Sequence, residues 1–260
     1  MRCLKKEGPS QSTLSRNSLC LSRHTYEHHP YFRFLLKYFQ TIYSILGVPL
    51  SDLPTLTNFA AIRSNGSATA TEASNANDEL LKYMAGLVDK RLSAPKDDLI
   101  SLLVNEQLKP GHLNKDDVVQ IAFLLLVAGN ATMVNMINLG VVTLLQHPDQ
   151  LEDLKKDPEK WSQSFVEELC RFHTASALAT KRVAKEDVVI GGQAIKKGEG
   201  IIAATQSGNR DEDVFTNPNV FDMRRVRSNE EALGYGWGEH RCVAEWLARA
   251  ELEIVFGKYA

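Results

Sequence analysis

The segment IAFLLLVAGNATMVNMINLGVVTLL, residues 121–145, constrains this chain more than any other stretch, because it is apolar on nearly every side of a helix. Such a helix must either be buried in a sizeable core or cross a bilayer. Asn130, Asn135 and Asn138 disfavour lipid, where each amide without a partner costs roughly a few kcal/mol. A packed core is therefore expected. The flanks set the limits of the helix: Asn114 suits an N-cap, Asp116 and Asp117 fall in the first turn, and Pro148 follows His147 at the end. At 1.5 Å per residue this is about 50 Å of helix.

The chain can supply such a core. Its 260 residues are 43% hydrophobic and 24% charged, enough for one globular unit. Thirty Lys plus Arg against 32 Asp plus Glu leave a net charge of −2, so no basic field invites nucleic acid or an anionic membrane surface. Cys3, Cys20, Cys170 and Cys242 are widely spaced, with no Cys-x-x-Cys pair. That argues against a zinc site or a disulfide framework and suits a reducing compartment.

Residues 1–30 read as a disordered tail in which His28 and His29 are solvated. Arg2, Lys5, Lys6, Arg16 and Arg23 among serines give a faint transit-peptide composition, which Glu7 and the missing amphipathic face weaken. The cytoplasm is the expected compartment, with the mitochondrion as the alternative. Helices are expected over Tyr31–Leu46, Thr71–Leu92, Asp97–Val104 and Trp161–Phe172. The first is broken by Arg33, Lys37 and Gln40 and falls short of a membrane span. Between Leu178 and Ala204, apolar and polar residues alternate around Gly191-Gly192 and Lys197-Gly198, which predicts short strands and turns. The fold class is mainly α, an α+β arrangement with a small β-sheet.

Chemistry concentrates in Gly234-Tyr235-Gly236-Trp237-Gly238-Glu239-His240-Arg241-Cys242. Glycines at 234, 236 and 238 would let this loop lie flat against a planar partner. From Val243 the run VAEWLARAELEIVF has helical spacing, which would place Cys242 at the first turn, where the dipole favours a thiolate. Two other readings compete with a thiolate ligand: a small buried hydrophobe, and a phosphate-cradling Gly-x-Gly-x-Gly. The second lacks the preceding strand that a dinucleotide loop needs.

Taken whole, YGWGEHRCVAEWLARAE resembles the haem-binding loop of the cytochrome P-450 superfamily, Phe-Gly-x-Gly-x-His-x-Cys-x-Gly-x-x-Leu-Ala. Tyr235 stands for the phenylalanine and Ala244 for a glycine. The resemblance implies haem b with Cys242 as the axial ligand to iron, and Arg182 and His240 as donors to the haem propionates. It also implies a structural triad of Glu168, Arg171 and Arg225 that pins the ligand loop. Read without the resemblance, Glu168 and Arg171 are an ordinary i,i+3 pair.

Ala128-Gly129-Asn130-Ala131-Thr132 resembles the segment that crosses the oxygen side of the haem, Ala-Gly-x-(Asp or Glu)-Thr, with Ala128 and Gly129 against the cofactor. A helix crossing accounts for the small residues equally well. Ala131 replaces the acid, and alanine carries no proton for O–O cleavage. With VEELCRFHTASALA, the segment resembles the fungal nitric oxide reductase branch, which implies reduction of nitric oxide to nitrous oxide with hydride taken directly from NADH or NADPH. No obligatory redox protein is implied. Thr132 and Ser176 match hydroxyls near the distal pocket of that branch, and Arg63 and Lys181 match cations facing the dinucleotide. Each also has a bland reading, as a hydroxyl bonded to its own backbone or as a solvated cation.

The resemblance runs from about Ile42 to about Phe256 and covers the middle and later parts of a family member. The expectation is a tail over 1–30 and a partial haem-thiolate domain over 31–260. Two alternatives stand beside the reductase: an O₂-dependent monooxygenase of an organic substrate that needs a redox partner, and an inactive fragment without haem.

Overall fold

The computed structural model describes residues 41–64, 66–176, 180–226 and 232–259. The expected tail, and residues 31–40 of the helix expected over Tyr31–Leu46, lie outside them. The remainder of that helix is α1, Thr41–Ile45. After a single 3₁₀ turn come α2, Leu53–Ser64, and α3, Ala70–Ser93. The start of α3 is fixed by a capping box in which the Thr69 hydroxyl accepts from the Glu72 N–H and the Glu72 carboxylate accepts from the Thr69 N–H. Helix α4, Leu99–Leu103, is capped by Asp98 and runs on through a π-helical turn, Val104–Leu108.

Helix α5, Lys115–Gln146, is the long apolar element, and Asn114 caps it in a box with Asp117. Pro148 does more than end it. Pro148 opens α6, Pro148–Lys156, and Pro158 opens α7, Pro158–His173, each at the first position, where a missing N–H costs nothing. The Asp157 cap, with Pro158 behind it, is why α7 starts three residues before the expected Trp161. Helix α7 ends on Thr174 in the left-handed conformation.

Among the described residues the small β content expected from sequence takes the form of two antiparallel pairs. β1, Thr180–Val183, pairs with β4, Gly200–Ala203, and β2, Val188–Ile190, pairs with β3, Gln193–Ile195. Gly191 and Gly192 turn the inner hairpin with positive φ at both positions. A short α8, Thr205–Gly208, and the last helix α9, Glu245–Tyr259, complete the described chain.

Helix α5 joins two cores. Its first half buries Val118, Val119, Ala122 and Leu126 against Tyr43, Leu56, Leu80, Met84 and Val88. Its second half buries Met136, Ile137, Gly140 and Leu144, beside an aromatic cluster built on Phe165. In that cluster the Phe165 ring stands edge-on to Phe256 at 4.8 Å and to Phe221 at 5.8 Å. By length and composition α5 could cross a membrane, and 28% of its most apolar window is buried. Leu124 and Leu145 stay 62% and 70% exposed. The expectation of a core helix holds for the faces turned to the two cores and not for the whole circumference.

Gly140 is where α5 and α9 touch, for a Cβ added there would collide with the Phe256 ring. Gly140→Ala gains up to about 1 kcal/mol of helix propensity but overpacks a filled site, at about 1–3 kcal/mol. Urea unfolding should show a net loss of about 1–2 kcal/mol. A midpoint equal to or above wild type would contradict this contact.

Candidate functional site

Helix α7 organises the site through residues that its amphipathic turn buries. Glu168 and Arg171, both fully buried, pair in a fork: Arg171 Nε donates to Glu168 Oε2 at 2.8 Å and Nη2 to Oε1 at 2.7 Å. Arg225 Nε reaches both carboxylate oxygens at 3.3 Å, so the three residues of the expected triad meet. Their remaining donors go to backbone carbonyls. Arg171 Nη1 donates to Asn209 O and Pro218 O, and Arg225 donates to the carbonyls of Thr216, Asn217 and Val220. Asn217 takes a positive φ, a conformation asparagine tolerates, in the turn that offers these carbonyls.

Burial pushes the Glu168 carboxyl up. Arg171, the Asp222 N–H and Arg225 outweigh burial and hold the group below its ordinary range. The triad therefore clamps residues 209–225 directly and the cysteine loop only at one remove. That link is Asn209, which is fully buried: its Oδ1 accepts from the Leu233 N–H at 2.7 Å, and its carbonyl takes Arg171.

Cys242 is an exposed free thiol. It stands three residues ahead of α9 rather than within its first turn, and its carbonyl accepts the Glu245 N–H at 3.2 Å. Its own N–H donates to Tyr235 O at 2.9 Å. The glycines of the loop have distinct duties. Gly236 and Gly238 take positive φ, and the space around a Gly238 Cβ is open. Gly234 instead lets the loop close on α7, since a Cβ there would lie 3.0 Å from Cys170 O. The Tyr235 hydroxyl accepts from Cys170 Sγ at 3.4 Å, and burial, then the Cys170 sulfur, push its pKa up.

The other residues singled out from sequence spread over several elements. On α5, Thr132 Oγ1 donates to Ala128 O at 2.6 Å, the local bond that was the bland alternative. Gly129 receives a neighbour, but that neighbour is Ile42: an added Cβ would lie 2.9 Å from its side chain. Asn130 Nδ2 donates to Tyr43 Oη at 2.8 Å. Arg63, in the last turn of α2, donates to Asn77 Oδ1 and lies over the Phe123 ring. Lys181 and Arg182 alternate along exposed β1 and so point to opposite faces, and the Arg182 guanidinium donates to Lys181 O. Ser176 is exposed, and its carbonyl accepts from Thr205 Oγ1. His240, also exposed, closes the 3₁₀ turn Gly238–His240.

The surface around Cys242 would suit a flat apolar group. Val243 and Trp246 are 86% and 76% exposed and Trp237 is exposed as well, so a free thiol sits among apolar side chains with open space at Gly238.

Sequence reasoning missed Asn209, Glu167, Glu245 and Arg249, all buried. The i,i+4 spacing of Arg241, Glu245 and Arg249 was a visible signal, but charges at that spacing ordinarily face water. Only the tertiary structure buries them.

A family model described as Cytochrome P450 matches residues 15–259. Cytochrome P450 55A3 of Fusarium lichenicola is 67% identical over 215 residues, which cover 83% of this chain and 52% of that protein. Cytochrome P450 105A3 of Streptomyces carbophilus is 39% identical over 211 residues, covering 81% and 50%. Among solved structures, cytochrome P450 MoxA from Nonomuraea recticatena superposes with a TM-score of 0.73 at 40% identity, over 83% of this chain and 53% of that one. The chain spans about half the length of the curated relatives it matches.

The depressed Glu168 pKa sets a direction for pH. Its stabilising share is present above the ordinary value of 4.5 and is lost as pH falls through the lower folded value. Glu168→Gln leaves Arg171 buried without its counter-charge and should cost about 3–5 kcal/mol at neutral pH. Urea midpoints at pH 7 and pH 4 (about the ordinary carboxylate value) should then differ less for the variant than for wild type. An equal acid loss in both would refute the role given to this carboxylate.

Proposed function

The chain belongs to the cytochrome P450 family, and on that footing we propose that it is a haem-thiolate oxidoreductase that reduces nitric oxide to nitrous oxide with hydride taken directly from NADH or NADPH. Cys242 supplies the thiolate ligand of haem b, and Arg182 and His240 hold the propionates. Bound there, the haem supplies an iron that takes small diatomic molecules and receives electron density from sulfur. Arg63 and Lys181 offer positive charge to the dinucleotide phosphates, and Thr132 and Ser176 hold protons or the nicotinamide amide in the distal pocket.

The observation that carries the reductase reading is the α5 sequence Ala128-Gly129-Asn130-Ala131-Thr132. Oxygen activation needs protons delivered in order, which in this superfamily falls to an acid beside the threonine. Here that position is alanine, and the Thr132 hydroxyl donates back to Ala128 O. Asn130 spends its amide on Tyr43. The far higher identity to the Fusarium protein than to the Streptomyces one supports a fungal branch of the family.

The ligand assignment predicts a spectrum. The chain purified with haem, reduced and given CO should show the red-shifted Soret band of a thiolate complex, and Cys242→Ala should lose it. A variant spectrum identical to wild type would sink the assignment.

The reaction has its own test. The haem-loaded chain, mixed with nitric oxide and NADH or NADPH in the absence of any partner protein, should consume the nucleotide and release nitrous oxide. Inertness until ferredoxin and O₂ are supplied would transfer the chain to the monooxygenases.

A further inference from the structure

Cys242 lies on an exposed loop, yet its backbone is held on both sides, and one of the holders is the buried Glu245. Its carbonyl is held by the Glu245 N–H and its own N–H by Tyr235 O. The Glu245 side chain, first in α9 and buried, then reaches in both directions along the chain. Backwards it accepts from Arg241, the residue immediately before Cys242, through Nε at 2.5 Å and Nη2 at 2.8 Å. Forwards it accepts from buried Arg249 through Nε at 3.1 Å and Nη2 at 2.8 Å. Arg249 forms an ion pair with Glu167 of α7 and lies 4.6 Å from the centre of the Tyr235 ring. The four charges alternate in sign and sum to zero.

Burying three of these four side chains costs desolvation that apolar residues would not. A greasy helix start could hold α9 against α7 as firmly. It could not also grip the residue ahead of Cys242. We propose that Glu245 is the positioning residue of Cys242: anchored to α7 through Arg249 and Glu167, its carboxylate holds Arg241 and so sets where the sulfur stands. For its catalytic consequence the proposal rests on Cys242 being the haem ligand. The ordering of the loop does not need haem.

Arg241→Gln is the gentler variant, because Glu245 keeps Arg249 and no buried charge loses its counter-charge. Glu245→Gln cuts both arms. Arg224→Gln, which breaks exposed pairs with Asp149 and Asp153, is the control for charge loss elsewhere. In haem-free protein, hydrogen exchange at the Cys242 and Glu245 amides should speed up about tenfold in the first two variants, while the amides of α5 and α7 exchange as in wild type.

In haem-loaded protein of equal haem content, the same two variants should lose part of the red-shifted CO band to the unshifted form. Arg224→Gln should leave both readouts as in wild type. Unchanged exchange overturns the proposal, as does faster exchange with the thiolate band intact, and if Glu245→Gln does not fold, Arg241→Gln decides alone. A wild-type chain with no thiolate band strikes the haem reading only, and amide exchange then decides whether Glu245 orders Cys242.

Discussion

Two neighbouring carboxylates on α7, Glu167 and Glu168, face directions about 100° apart on the helix, and the geometry around Cys242 descends from that divergence. Glu168 takes Arg171 and Arg225 and, through their spare donors, the carbonyls of the 209–225 segment. Glu167 takes Arg249 and, through Glu245, reaches the residue before Cys242. One helix thus holds the approach to the loop with one side chain and the exit from it with the next. In the Glu168 set the donors left over find backbone carbonyls, which turns that ion pair into a clamp on otherwise irregular backbone.

The departures from the superfamily pattern fit the same arrangement. Tyr235 in place of phenylalanine keeps the ring under Arg249 and adds a hydroxyl that meets the Cys170 thiol of α7. Gly234 permits the close approach that makes this contact. The loop is therefore seated on α7 at Gly234, at Tyr235 and, beyond Cys242, at Arg249. Between those seats Cys242 and His240 are exposed. A seated base and an exposed Cys242 would suit a loop that presents a sulfur.

Elements whose ends are written locally were legible in the sequence. Asn114 with Asp117 fixed α5 to the residue, because a capping box is made within four consecutive positions. The glycines were legible as kinds of residue but not in their partners. Gly129 meets Ile42, Gly140 meets Phe256 and Gly234 meets Cys170, and each pairing joins segments far apart in the chain. The triad was readable only through resemblance, since a Glu-x-x-Arg pair alone is ordinary surface chemistry. Arg241, Glu245 and Arg249 show the reverse case: they look like a solvated stripe, and packing against Glu167 makes them a network in which Glu245 and Arg249 are buried.

The middle of α5 bears on the chemistry through how its polar groups are spent. The Thr132 hydroxyl donates a hydrogen bond to Ala128 O, the Asn130 amide donates to Tyr43, and Ala131 has nothing to give. A reaction that draws several protons in sequence through this stretch would have to break those bonds first. Hydride transfer asks less of it. In the proposed reaction two electrons and a hydrogen would arrive together from the nicotinamide, and converting two molecules of nitric oxide to nitrous oxide and water would then need one further proton. A helix with no acid at this point would be a poor relay for splitting O₂, which is why Ala131, a residue with no functional group, weighs most in the proposed choice of reaction.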